Sequence, residues 1–109
     1  MPETGHSWCR AFEAVPASAP AVRRWTRDRT TRVDAPAIAH ELFAAVLTTE
    51  PDAVEMTLST AGARARITAH GARGPLVWLV DEPGRRIVAA LSRQSGFTHD
   101  ARGLWADLA

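Results

Sequence analysis

Apolar residues recur along this chain at two spacings, and the spacing switches at definite points. From Ala53 to Thr60 the period is two: Val54, Met56 and Leu58 alternate with Glu55, Thr57 and Ser59. That alternation predicts a strand with one buried face and one wet face. Arg64 to His70 repeats it, with Ala65, Ile67 and Ala69 inward and Arg64, Arg66, Thr68 and His70 outward. Ala61-Gly62 makes the turn, so the pair is expected to form an antiparallel hairpin. From Asp34 to Leu47 the period is helical: Ile38, Leu42, Ala45 and Val46 share one face. Asp34 stands where an N-cap accepts a backbone N–H bond, and Pro36 falls in the first turn. The helix should end near Thr48 or Thr49, before Pro51. Glu41 lies beside its apolar stripe, either as a solvated rim charge or as a functional group facing a pocket.

The remaining segments are read the same way. Trp8 to Phe12 alternates weakly and is expected to be an edge strand, preceded by a flexible N-terminus over residues 1–7. Ser18 caps a first helix with Pro20 in its opening turn, Val22 and Trp25 facing the core, and an end by about Arg32. Gly71 to Pro75 is a loop by its glycines and proline. Leu76 to Val80 is a short apolar run whose periodicity does not separate strand from helix entry. Asp81 is placed as N-cap of a third helix, with Pro83 in its first turn and Ile87, Val88 and Leu91 as its stripe. Gly96 is placed as its C-terminal glycine cap, and Phe97 to Gly103 as a connector. Leu104, Ala106 and Leu108 alternate with Trp105 and Asp107, which predicts a closing strand. Strand, two helices, hairpin, helix and strand together predict an α+β two-layer sandwich. About three helices would pack on one face of a mostly antiparallel sheet.

Composition narrows the classes of function. The chain has 109 residues, which suits a single domain, here taken as residues 8–109. Its formal net charge is +1, so no global attraction to nucleic acid or membrane is expected. No apolar run approaches the roughly 20 residues that span a bilayer, and Met1 to Ser7 does not read as a signal peptide. All 13 basic residues are arginine, and the chain has no lysine, asparagine or tyrosine. Cys9 is the only cysteine, which excludes an internal disulfide and makes a reducing cytoplasm the simplest compartment.

The order of elements and several of their phrases resemble one family. It comprises small actinobacterial proteins of the Hsp90/histidine-kinase-type ATPase fold, related to the anti-sigma-factor serine kinases. Phe12 to Arg29 is similar to the family's first strand, Pro-Ala-Ser-like cap and Arg-rich first helix. Glu41-Leu42-Phe43-Ala44-Ala45 resembles its Glu-Leu-x-x-Asn helix. Val54 to Ala69 resembles its hairpin, Gly84 to Gly96 its glycine-bearing helix start and stripe, and Gly103 to Leu108 its final strand.

The resemblance implies a nucleotide site, and this sequence departs from it at the residues that carry the chemistry. The family's Asn offers an amide oxygen to Mg²⁺, which needs hard oxygen ligands; Ala45 stands there. The acid that accepts a hydrogen bond from adenine is missing from Ala69 to Gly74. Glu82 stands where the phosphate turn has a second glycine, and the lid shrinks to Leu76–Val80. Leu76, Val77, Trp78 and Leu79 are placed to fill the space where adenine would sit. The expected function is therefore a regulatory protein-binding module of transcriptional, sigma/anti-sigma type, with nucleotide binding lost and no cofactor. Its partner would be a sigma factor, an anti-sigma antagonist or a helix-turn-helix transcription factor, with a homodimer also open. The first helix supplies the expected partner surface, through Arg23, Arg24, Arg27 and Arg29. The alternative is a diverged ATP- and Mg-dependent serine kinase, in which Glu41 activates the attacking hydroxyl and Gly71, Gly74 and Gly84 approach the nucleotide.

Other candidate chemistry is sparse. His6, Cys9, His40, His70 and His99 are the soft-metal candidates. Only His6 and Cys9 have short ligand-like spacing, and no second pair accompanies them, so no metal is expected. A Cys9–His nucleophile pair has no local support. The arginine-rich helix lacks an aromatic platform or a recognition-helix pattern, which disfavours direct nucleic-acid contact.

Overall fold

A computed structural model describes residues 5–108. They form an α+β fold in which three α-helices cover one face of a five-stranded sheet. In chain order the elements are β1 (Gly5–Glu13), α1 (Ala19–Arg27), α2 (Ala35–Leu47), β2 (Ala53–Ala61), β3 (Arg64–Gly71), α3 (Pro83–Leu91), β4 (Ser92–Phe97) and β5 (Gly103–Leu108). The strand order is β1-β2-β3-β5-β4, and every neighbouring pair is antiparallel.

The two alternating stretches pair as their patterns require. Met56 lies opposite Ala69 and Leu58 opposite Ile67, so the inward residues of the hairpin share one face. Leu104 and Ala106 extend that face through β5, opposite Ala69 and Ile67. A one-residue slip would turn the whole apolar set into water, so burial pins this register. Ala61 pairs with Arg64 across Gly62-Ala63. Gly62 has φ 60°, a region that a side chain disfavours and that a two-residue hairpin loop commonly requires.

Helix α2 is buried more widely than its stripe predicts. Ile38, Leu42 and Val46 are fully buried, as expected, and so are Ala35, Ala39 and Phe43. The reason lies in its neighbours: α2 packs against α1 and α3 as well as β2, β3 and β5. A helix enclosed on several sides is apolar around most of its circumference. Phe12 and Trp25 meet edge to face at 6.0 Å and carry the same core out to β1 and α1.

Several boundaries differ from the sequence reading. β1 begins at Gly5 and takes in Gly5, His6 and Ser7 from the stretch expected to be flexible; residues 1–4 lie outside the described residues. α1 ends at Arg27 rather than near Arg32. Asp34 and Ser18 are already in helical conformation, and neither side chain makes a cap hydrogen bond. The helix entries instead rely on their early prolines, whose missing N–H leaves one donor fewer to satisfy. Glu82, extended at φ −64° and ψ 137°, replaces Asp81 as the α3 N-cap. Gly96 caps nothing. The α3 helix stops at Leu91, where Ser92 donates its hydroxyl to the Val88 carbonyl, and the chain continues into β4. Leu76 to Val80 joins neither a helix nor a strand, yet it buries alternate residues, Leu76 and Trp78, while Val77, Leu79 and Val80 face outward.

Because α2 is the common wall of the core, Leu42→Ala is expected to cost about 2–5 kcal/mol, the range for a large-to-small change at a site that cannot collapse. Urea denaturation monitored by far-UV circular dichroism measures this. A loss below about 1 kcal/mol would contradict the enclosed position of α2.

Candidate functional site

Glu41 is half-buried on α2 and faces the start of α3. A Cβ built on Gly84 would lie 2.5 Å from Glu41 Oε2 and 3.5 Å from its carboxyl carbon. The carboxylate therefore rests against the first turn of α3, where free N–H groups and the helix dipole favour negative charge. In the resembled family this turn receives phosphates. Here an internal carboxylate stands beside it, and Glu82 is its N-cap.

The other two glycines of the alternative nucleotide reading sit elsewhere and do other work. Gly71 is buried where β3 ends, and a Cβ there would come within 3.0 Å of Val46 Cγ1 and 3.1 Å of Pro51 Cβ. Gly74 packs against the 101–102 turn, with Arg102 Cγ 2.9 Å from its would-be Cβ. Both serve close packing of backbone against neighbouring elements. Of the four residues expected to build that site, the fold brings together only Glu41 and Gly84. Within the apolar run, Leu76 and Trp78 are buried in the core, whereas Val77 and Leu79 are exposed.

The four arginines expected to form the partner surface divide into two pairs. Arg23 donates from Nη1 to His40 Nδ1 at 2.7 Å, which leaves the ring proton on Nε2, because a guanidinium cannot accept. Arg29 donates to the Trp25 carbonyl at 2.9 Å and lies 5.0 Å from the Trp25 ring centroid. Arg24 and Arg27 are exposed. The expected four-arginine surface thus presents Arg24 and Arg27 outward, while Arg23 reaches α2 and Arg29, just past the end of α1, folds back onto Trp25.

The soft-metal candidates are scattered. His6 and Cys9 are three residues apart on β1, so they point to opposite faces of the sheet and cannot chelate one ion. His6 stacks on Trp8 at 5.7 Å. His70 Nε2 lies 2.7 Å from Asp100 Oδ2, and Asp100 also accepts from the Arg102 N–H and the Thr98 hydroxyl. These bonds, led by that of His70, hold the Asp100 carboxyl far below the usual carboxylate range. Among the described residues, no three His, Cys, Asp or Glu side chains come together as a metal-binding group.

The sequence reading gave no functional weight to a cluster on the outer face of the sheet. Arg66 Nε donates to Asp107 Oδ1 at 2.6 Å and Nη2 to Oδ2 at 3.1 Å, while its guanidinium lies 4.2 Å from the Trp105 ring centroid. The Arg66 hydrogen bond holds the Asp107 carboxyl below its ordinary value; burial opposes it, and Arg66, Arg93 and Arg64 add attraction. The outward arginines of β3 were visible in the alternation. Arg93 was not, because β4 was not foreseen. No protein-family model matches the chain, and no curated protein matches it either.

Two outcomes are expected. Glu41→Gln removes a negative charge from the α3 N-terminus and should lower stability by about 0.3–1 kcal/mol at low salt, with a smaller loss at high salt. Equal or greater stability of the variant in urea melts would contradict the placement. Asp107 has a depressed folded pKa, so its stabilising share is complete above the unfolded value and is lost as pH falls through the lower folded value. Asp107→Asn should therefore cost about 0.5–1 kcal/mol at neutral pH, a figure set by the exposure of the pair. The gap between variant and wild type should close on acidification below the ordinary value of 3.8.

Proposed function

We infer that the protein is a regulatory protein-binding module of the anti-sigma-kinase-like kind whose nucleotide chemistry has been lost. The observation that carries this reading is the Glu41 carboxylate lying against Gly84 at the start of α3. A second carboxylate, Glu82, flanks the same turn. Two negative charges there oppose the phosphate oxygens that a helix N-terminus would otherwise attract. With Ala45 and no asparagine anywhere in the chain, the family's amide ligand to Mg²⁺ has no counterpart.

Binding by surface is supported by what the fold leaves outside. Val77, Leu79 and Val80 are 66%, 57% and 76% exposed on one short segment. A run of apolar side chains in water favours association, because covering it removes apolar area from solvent. Arg24 and Arg27 add exposed charge on α1. The partner class follows from the resemblance: a sigma factor, an anti-sigma antagonist or a helix-turn-helix transcription factor. The described helices include none long and apolar enough to cross a membrane.

Isothermal titration calorimetry with Mg-ATP separates this reading from the kinase alternative. The expected result is no heat of binding with up to millimolar nucleotide. Micromolar binding that is lost in Glu41→Ala or Gly84→Val would overturn the reading.

A further inference from the structure

The sheet has two edges, and they are finished differently. β4 closes one of them. It is six residues long and breaks its register between Ser92 and Gln94, with Arg93 at the irregularity. Short length and a bulge are devices that keep an edge from pairing with another chain. β1 closes the other edge and has neither. Its nine residues, Gly5–Glu13, follow β2 in unbroken register and include no proline. Its outer flank pairs with no strand of the sheet. An edge of that length leaves a row of backbone N–H and C=O groups for an added strand.

The side chains of β1 leave room for that strand. Trp8, Arg10 and Phe12 lie opposite Leu58, Met56 and Val54, so they share the helix side of the sheet, and the alternate residues share the open side. On the open side stand Gly5, Ser7, Cys9 and Ala11, all small and all exposed. On the helix side His6 and Arg10 are exposed and Trp8 is half-buried, so the helix layer stops short of this edge until the buried Phe12. His6 stacks on Trp8, and the Arg10 guanidinium lies 4.8 Å from the Phe12 ring centroid, which orders these side chains along the edge.

A second copy of β1 fits this edge best in one register. Directly opposed residues of antiparallel strands point to the same face of a sheet. A two-fold axis through the joined sheet must therefore pass through a residue paired with its own counterpart. Centred on Cys9, the pairing engages all nine residues of the strand. Gly5 then meets Glu13 of the second copy, His6 meets Phe12, Ser7 meets Ala11, Trp8 meets Arg10 and Cys9 meets Cys9. The helix side pairs ring with ring and guanidinium with indole, the open side carries small residues at its centre, and no like charges oppose each other. Centring on Arg10 engages only residues 7–13 and sets Arg10 on Arg10. Centring on Trp8 engages only residues 5–11 and sets Arg10 against His6. We propose that β1 is a homodimer interface: two chains join antiparallel at this edge about Cys9, and their sheets run on into one.

Sedimentation velocity of the full chain, at concentrations from about 200 μM down to about 2 μM, tests this. A single strand pair lies at the small end of specific interfaces, so the expected result is twice the chain mass at the upper concentration and dissociation on dilution. Ser7→Lys/Ala11→Lys sets like charge against like charge twice across the axis and should weaken association about tenfold. Ser7→Glu/Ala11→Lys sets opposite charges there and should stay within about threefold of wild type. Position 11 faces Glu55 of β2 in both variants, so that contact cancels from the comparison. A short bismaleimide should join wild-type chains through Cys9. It should not join Cys9→Ser/Glu55→Cys chains, whose exposed thiols stand one strand further in and more than about 14 Å apart across the dimer. A monomer at the upper concentration, equal weakening in the two charge variants, or equal cross-linking from the two thiol positions would each overturn the proposal. If Ser7→Lys/Ala11→Lys melts early, the Cys9 cross-link of the unaltered chain decides by the same criterion.

Discussion

The structure depends on enclosing α2. Its apolar surface extends around most of the helix, and no single neighbour covers it. The sheet takes one side, α1 and α3 take others, and each of those elements is short. Isolated helices of nine residues are marginal in water. α1 and α3 persist because docking on α2 buries Val22, Trp25 and Val88. The whole layer is therefore one cooperative unit, and the position of Glu41 against α3 follows from it.

What was legible in the sequence follows the same logic of burial. β2, β3 and β5 each have one face in the core, so their alternation survives in the residues. β4 lies at the sheet's edge and reads Ser-Arg-Gln-Ser-Gly-Phe, with no inward stripe to betray it. Gly96 looked like a helix terminator because glycine often is one. Its actual neighbour is the Trp105 ring, 3.1 Å from a would-be Cβ, a contact between residues on different strands. The caps failed for a local reason: Asp34 and Ser18 are already helical, so their side chains are not turned back onto the first N–H groups.

The candidate site divides along similar lines. Glu41 stood out because a lone carboxylate beside an apolar stripe is conspicuous. Its meeting with Gly84 joins residues 43 positions apart and required the helix layer to be assembled. The cluster on the outer face of the sheet is still less local. It joins Arg66 of β3, Arg93 of β4 and Asp107 of β5, none of which was singled out from sequence. Alternation placed Arg64, Arg66 and Asp107 on the side of their strands away from the core but gave no hint that Arg93 would join them there.

β1 has a further bearing on how the molecule behaves among its neighbours. Its nine residues pair with β2 on one flank, and the other flank ends the sheet. Such a rim offers alternating amide and carbonyl groups to any incoming extended segment. Arg10 and Glu13, both exposed there, place opposite charges along it. A parallel in-register copy laid along it would set Arg10 on Arg10 and Glu13 on Glu13, like charge on like charge. The charges on this rim thus disfavour stacking into parallel, in-register fibrils.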